Sequence, residues 1–106
     1  MRMARRTPTQ AVRERRKRAM QPLRDVLRRD ERSGSWLARE LRRRGFGVSQ
    51  PSLSNYLNGQ TRIAESVLQA ACILACGNNA MAGDLLRDKI LTTAGDTALL
   101  LQGAKE

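Results

Sequence analysis

Val48-Ser49-Gln50-Pro51-Ser52-Leu53-Ser54-Asn55-Tyr56-Leu57-Asn58-Gly59 is the stretch whose reading decides this chain. Ser49 suits a helix N-cap and Gly59 suits the residue just past a helix end. Pro51 then falls in the first turn, where amide donors have no intrahelical acceptor and a proline costs little. Leu53 and Leu57, four apart, share one face, and burying them predicts a short helix over 49–58. Gln50, Ser52, Ser54 and Asn55 then point outward, each with a polar side chain able to hydrogen-bond.

Upstream, Trp36-Leu37-Ala38-Arg39-Glu40-Leu41-Arg42-Arg43-Arg44 reads as another helix. Leu37, Ala38 and Leu41 form its inner side, Ser33 or Ser35 its cap, and Gly45 its left-handed stop. Phe46-Gly47-Val48 links the two helices, with Phe46 and Val48 in the core. Before that, Pro22 suits the first turn of a helix of about ten residues that buries Leu23, Val26 and Leu27. Arg24, Arg28 and Arg29 lie on its other side. Downstream, helices are expected over about 63–75 and 80–91, broken at Gly77-Asn78-Asn79. Met81, Leu85, Leu86 and Ile90 are expected as a broad apolar face on the second. Asp96 caps a last short helix carrying Leu99, Leu100 and Leu101, which either fold back on the core or bury in a partner chain. No strand pattern stands out.

A chain of 106 residues is one domain. It has one Phe, one Tyr and one Trp, so its core is built from Leu, Ile, Val, Ala and Met. That composition suits helix-on-helix packing. The expected fold class is therefore all-α, a compact bundle of about five helices. There is no histidine, and Cys72 and Cys76 are the only cysteines. A four-ligand zinc site of thiolates and imidazoles cannot be completed in one chain, and the usual Ser–His and Cys–His pairs are excluded. The two cysteines, four apart on one side of a helix, read as small core residues or as half of a metal or redox site. No enzyme, cofactor, metal site or small-molecule substrate is expected. No apolar run approaches a membrane span and no apolar h-region follows the N-terminal charges, so the expected location is cytoplasmic, on the nucleoid.

Charge is distributed unevenly. Met1–Arg62 holds 17 basic and 5 acidic residues, a net of +12, whereas Ile63–Glu106 holds 3 basic and 5 acidic, a net of −2. One half of the chain is built to meet a polyanion. Residues 1–20, with Arg13, Arg15, Arg16, Lys17 and Arg18 crowded together, are expected as a basic arm, disordered or helical on DNA. Residues 21–76 are then a helix-turn-helix DNA-binding domain. Residues 77–106 are C-terminal helices for packing and dimerisation. Set in so basic a chain, a short polar helix that follows another helix is what reading a major groove requires.

Leu37-Ala38-Arg39-Glu40-Leu41, then Gly47-Val48-Ser49-Gln50-Pro51-Ser52-Leu53-Ser54, resembles the pattern L-A-x-x-L-G-V-S-x-x-T-I-S of the Cro/cI-like (XRE-type) phage repressor family. Asn58-Gly59-Gln60-Thr61-Arg62 looks like the N-G-K-T-K stretch that follows the recognition helix in lambdoid repressors. The resemblance covers about Leu23 to Leu74 and implies a lambda-repressor-like fold. The family joins Leu directly to Gly-Val-Ser, whereas this chain inserts Arg42-Arg43-Arg44-Gly45-Phe46. The first helix of the motif is therefore a turn longer, or the turn is looser. Arg44-Gly45-Phe46-Gly47-Val48-Ser49-Gln50 also looks like the winged DNA-binding domain of arginine repressors. A wing needs two strands after the recognition helix, and a helical pattern follows Gly59 instead. The resemblance implies base-reading positions at Gln50, Pro51 and Asn55, with Ser52 and Ser54 beside them. Gln50 and Asn55 can each make a bidentate contact to adenine, and Pro51 an apolar contact to a thymine methyl. It implies phosphate contacts at Asn58, Gln60 and Arg62, and at Ser49 with the free amides of its helix start. Arg42, Arg43 and Arg44 have no family counterpart and are placed near a phosphate strand. Arg16 and Arg18, on the arm, are further phosphate contacts. Trp36 and Tyr56 either pack on the domain or touch the DNA backbone.

The expected function is a sequence-specific regulator of double-stranded DNA, a dimeric repressor of phage, plasmid or mobile-element type, homodimeric through the C-terminal half. The alternative is a low-specificity architectural or plasmid-segregation protein, which the arginine-rich arm favours and the Gln/Asn-bearing helix does not. A small adaptor or antitoxin with a protein-binding tail is a third possibility, resting on the three leucines.

Overall fold

The computed structural model describes residues 10–103 and folds them into six helices: α1 (Gln10–Arg29), α2 (Gly34–Arg43), α3 (Gln50–Leu57), α4 (Glu65–Ala75), α5 (Ala80–Ala94) and α6 (Thr97–Leu100). Residues 1–9 of the expected arm lie outside the described residues. α5 lies against both α1 and α4, α2 packs on α3 and α4, and α1 reaches across to α3. Among the described residues the only extended pairing is a single parallel bridge between Ile63 and Leu101. Helix α4, rather than a strand pair, follows α3, so the winged alternative does not hold. No helix among the described residues is long and apolar enough to cross a membrane.

Helix ends follow local chemistry. Ser33 caps α2 by accepting from the Trp36 amide at 3.0 Å, and Ser49 caps α3 by accepting from the Ser52 amide at 3.2 Å. Asn79 and Asp96 do the same for α5 and α6. At their C-termini α1, α2, α3 and α4 share one device. A left-handed residue lets its own amide and the next bond back to the last turn, the Schellman pattern. In α2 the Gly45 amide reaches Arg42 O and the Phe46 amide reaches Leu41 O, both at 3.0 Å. In α3 Gly59 and Gln60 bond Tyr56 O and Asn55 O. Three of these left-handed positions are glycine, whereas α1 uses Glu31 at φ 57°. A Cβ in that region costs about 1–2 kcal/mol, partly balanced by the extra unfolded-state freedom of glycine. Glu31→Gly is therefore expected to stabilise the protein by about 0.5–1 kcal/mol, a rise of a few degrees in thermal midpoint. An unchanged or lowered midpoint would show that the Glu31 side chain contributes more than its backbone costs.

Two expectations about α1 need correction. The chain does not start a new helix at Pro22; one helix runs from Gln10 through Pro22 to Arg29. Pro22 lacks the amide that would bond the Arg18 carbonyl, but the helix continues because a single inward stripe spans it. Arg16, Ala19, Met20, Leu23 and Leu27 all face the core, at the 3–4-residue spacing of one helix face. The segment expected as an arm up to residue 20 is thus, from Gln10 onward, part of the bundle, and no boundary falls at 20/21.

The C-terminal helices also differ from expectation. Met81 and Leu85 do not share a face with Ile90. Nine residues are two and a half turns, which puts Ile90 opposite Met81. Ile90 and Ala94 are buried, whereas Met81 is 76% and Leu85 66% exposed. Gly83 selects the inner face. A Cβ there would lie 2.5 Å from Ile73 Cγ1 and 2.6 Å from Ile73 Cα, so only glycine lets α5 approach α4 this closely. Leu100 and Leu101 join the same buried cluster as Leu23, Leu41 and Leu68. They complete this chain's own core and are withdrawn from the expected dimer face, as is Ile90. Residues 77–103 thus share one core with 21–76. Cys72 is buried and Cys76 half-buried, and neither is in a disulfide. Burial pushes the Cys72 thiol up to about 12, which keeps it protonated and unreactive at neutral pH.

Candidate nucleic-acid interface

The five residues between Leu41 and Gly47 finish α2 and turn the chain. Arg42 and Arg43 extend the helix, Arg44 is its C-cap, and Gly45 at φ 93° reverses the backbone. Two of the five inserted residues lengthen the helix by about half a turn and the other three lengthen the turn, so each reading of the insertion holds in part. Arg42 Nη1 donates to the Val48 carbonyl at 3.3 Å and so ties the end of α2 to the entry of α3. Arg43 pairs with Glu40 at 3.3 Å on the helix surface, a contact worth little in water. Arg44 is exposed and, among the described residues, its side chain has no partner.

α3 sits with Leu53 and Leu57 in the core. Gln50, Pro51, Ser54, Asn55 and Asn58 are exposed and form its outer side, at the spacing i, i+1, i+4, i+5, i+8. Among the described residues the Gln50 and Asn55 side chains engage no other group, and both are exposed on the outer side of the helix. Ser52 is placed otherwise. It is half-buried, and its hydroxyl accepts from the Ser49 hydroxyl at 3.0 Å, so it closes the cap rather than joining the outer side. The helix start is also a poorer anion site than expected. Pro51 has no amide and the Ser52 amide is taken by Ser49 Oγ, which leaves the Gln50 amide.

The surroundings of α3 are where the structure adds most. An open hollow of about 640 Å³ separates α3 from the N-terminal half of α1. Its α1 wall carries Gln10, Arg13, Glu14 and Lys17, and its other wall Asn55, Asn58 and Gln60. Gln10 donates to Glu14 at 3.0 Å and accepts from Arg13 at 3.3 Å. Lys17 is exposed and, among the described residues, pairs with no carboxylate, so it brings an available positive charge to the hollow. Further along α1, Arg24 donates to Gln21 and, at 3.3 Å, to Asn58 Oδ1. Asn58 in turn donates to the Ser54 hydroxyl at 3.4 Å. This chain from α1 fixes the orientation of two outer residues of α3. A second hollow, of about 340 Å³, lies between the start of α2 at Ser33–Ser35 and Gln50, Ser54 and Arg24.

Of the expected phosphate contacts, Gln60 and Arg62 are exposed on the loop leaving α3, and Arg18 is exposed on α1 beside Lys17 and Arg24. Arg16 is a correction. It is only 6% exposed, and its Nε donates to the Leu99 carbonyl at 2.7 Å. Burial, and then the charge of Arg62, lower its pKa from the usual guanidinium value. It faces the core and cannot reach a phosphate. Arg13, Lys17 and Arg24 occupy the position expected of Arg16. The signal lay in helical phase: 10, 13, 17, 21 and 24 fall on one stripe of α1, and 16, 20, 23 and 27 on another. Trp36 is half-buried against the core, with the Arg32 guanidinium 4.1 Å above its ring; Tyr56 is likewise half-buried.

Among the described residues no group of His, Cys, Asp or Glu could hold a metal ion. What the arrangement offers is hydrogen-bond donors and acceptors on a protruding helix, flanked by cations. Comparison with protein-family models, with curated proteins and with solved structures finds no match to the chain.

Proposed function

We propose that the protein is a sequence-specific regulator of double-stranded DNA, of the Cro/cI-like helix-turn-helix type, with α2 and α3 as the motif and α3 entering the major groove. The observation that carries the reading is the outer side of α3. Among the described residues Gln50 and Asn55 have no side-chain partners there, and they lie beside the cationic flank of Lys17, Arg18 and Arg24. Base edges require such side chains and phosphates require such a flank. A helix of eight residues spans only a few base pairs. The proposal therefore includes a homodimer reading two half-sites about 34 Å apart, and repression by occupancy of that site. Met81 and Leu85, exposed on the outer side of α5, are the apolar residues left for such a dimer.

Selection from random duplexes at about 150 mM salt tests this reading, because phosphate-driven binding is weakened there. The expected outcome is enrichment of a two-fold-related sequence. The low-specificity architectural reading, which the net charge of +10 favours, predicts binding without enrichment and would replace the regulator.

A further inference from the structure

We propose that residues Leu99–Gln102 form a clamp that positions the loop Gln60–Arg62 for DNA, with Gln102 and Arg16 as positioning residues. The inference rests on the DNA-binding reading above. The loop leaves α3 at Gly59 and enters the core at Ile63, and each end is held by a different part of the chain. Gly59 lies directly on the α1 backbone, where a Cβ would be 2.5 Å from Arg13 O and 2.6 Å from Lys17 N. At the other end the Ile63 amide donates to Leu100 O at 2.9 Å, and the Gln102 amide donates to Ile63 O at 2.9 Å. The Gln102 side-chain amide donates to Arg62 O at 2.8 Å. The backbone that carries the Arg62 side chain is thus bonded to residues about forty positions later in the chain.

The clamp is itself anchored. Leu100 and Leu101 are buried in the core. Arg16 Nε holds Leu99 O from α1, and Arg15 Nη2 donates to Ala94 O at 3.3 Å at the end of α5. Burying a guanidinium is costly, and among the described residues no carboxylate pairs with Arg16. Its bond to Leu99 O goes to the segment that holds the loop. Gln60 and Arg62 themselves remain exposed, so the backbone is fixed while the side chains stay available. Without this support a connection between two helices is free to move, and a phosphate contact made from it loses affinity to ordering entropy.

The test uses the full chain and its selected duplex. Gln102→Pro removes both Gln102 donors, and Leu101, at ψ 136°, already has the backbone that precedes proline. The expected result is binding about tenfold weaker on every sequence, with the salt slope shallower by about one, as for Arg62→Ala. Combining the two substitutions should add little, since both remove one contact. Hydrogen exchange without DNA should show faster exchange for the amides of residues 61–63 and no change in α2 and α3. Faster exchange with an unaltered salt slope overturns the positioning role. Unaltered exchange overturns the clamp. An unmodified chain that binds no duplex overturns the DNA reading itself, and with it any role of the clamp in binding. Gln102→Ala, which keeps the main-chain bond to Ile63, gives an intermediate effect if the clamp is correct and none if it is not. It also serves if the proline variant does not fold.

Discussion

Gly59→Ala is expected to lower the unfolding free energy by about 1.5–4 kcal/mol, the sum of the net cost of a left-handed Cβ and an overpacked contact. Gly59 has φ 76° and ends α3, so any side chain there is strained before its surroundings are considered. Its surroundings add a second penalty, because the atoms that a Cβ would meet are main-chain atoms of α1 at Arg13 and Lys17. Helix backbone cannot rotate aside as a side chain can. The variant must either push α1 off the loop or open the end of α3. Domains of this size are stable by about 5–15 kcal/mol, so much of that margin is removed. Urea unfolding followed by circular dichroism measures it, with a lower midpoint and an unchanged slope. A loss below about 1 kcal/mol would mean that α1 does not press on Gly59 as described. Gly45 is the control. It has φ 93° with nothing within 4 Å of a Cβ, so Gly45→Ala should cost only the net backbone effect, about 0.5–1 kcal/mol, as at Glu31.

The second large effect concerns selectivity. If α3 reads bases, the double variant Gln50→Ala/Asn55→Ala loses two bidentate contacts, each worth about 1–3 kcal/mol of discrimination. Preference for the selected duplex over an unrelated one should fall about 30-fold or more, while binding to the unrelated duplex barely changes. Both residues are exposed and, among the described residues, their side chains have no partners, so thermal stability should hold. Lys17→Ala should do the reverse, weakening both duplexes alike and making the salt dependence shallower by about 0.9. The experiment compares the two variants on both duplexes across a salt series. Equal losses on both duplexes for the double variant would falsify the assignment of Gln50 and Asn55 to base contacts.

Much of the site was legible before folding was considered. The Ser49 cap, the inward Leu53 and Leu57, the Gly45 and Gly59 stops and the outward Gln50, Pro51, Ser54 and Asn55 are all where local chemistry puts them. Each depends on neighbours within about four residues, the reach of caps and helix faces. Ser52 departs from the outward expectation because polarity does not guarantee exposure: its hydroxyl is engaged by the cap. The α1 wall of the hollow was hidden for a different reason. Five basic residues in six positions, 13 and 15–18, look equivalent as composition, and only helical phase separates the stripe facing α3 from the buried one.

The sequence by itself determined that this chain is helical, where α2 and α3 start and stop, and which side of α3 carries free amides. Those outcomes rest on hydrogen bonds and side-chain spacing within one or two turns. Only the tertiary structure decided the fate of Arg16, whose acceptor lies 83 residues away at Leu99. It also decided that Gly83 turns Met81 and Leu85 outward, and that Leu100 and Leu101 close this chain's own core. The reason is that burial is a property of the assembled bundle. A side chain that looks free in sequence is claimed when a distant carbonyl or apolar surface is brought against it, and the helix packing alone sets which one arrives.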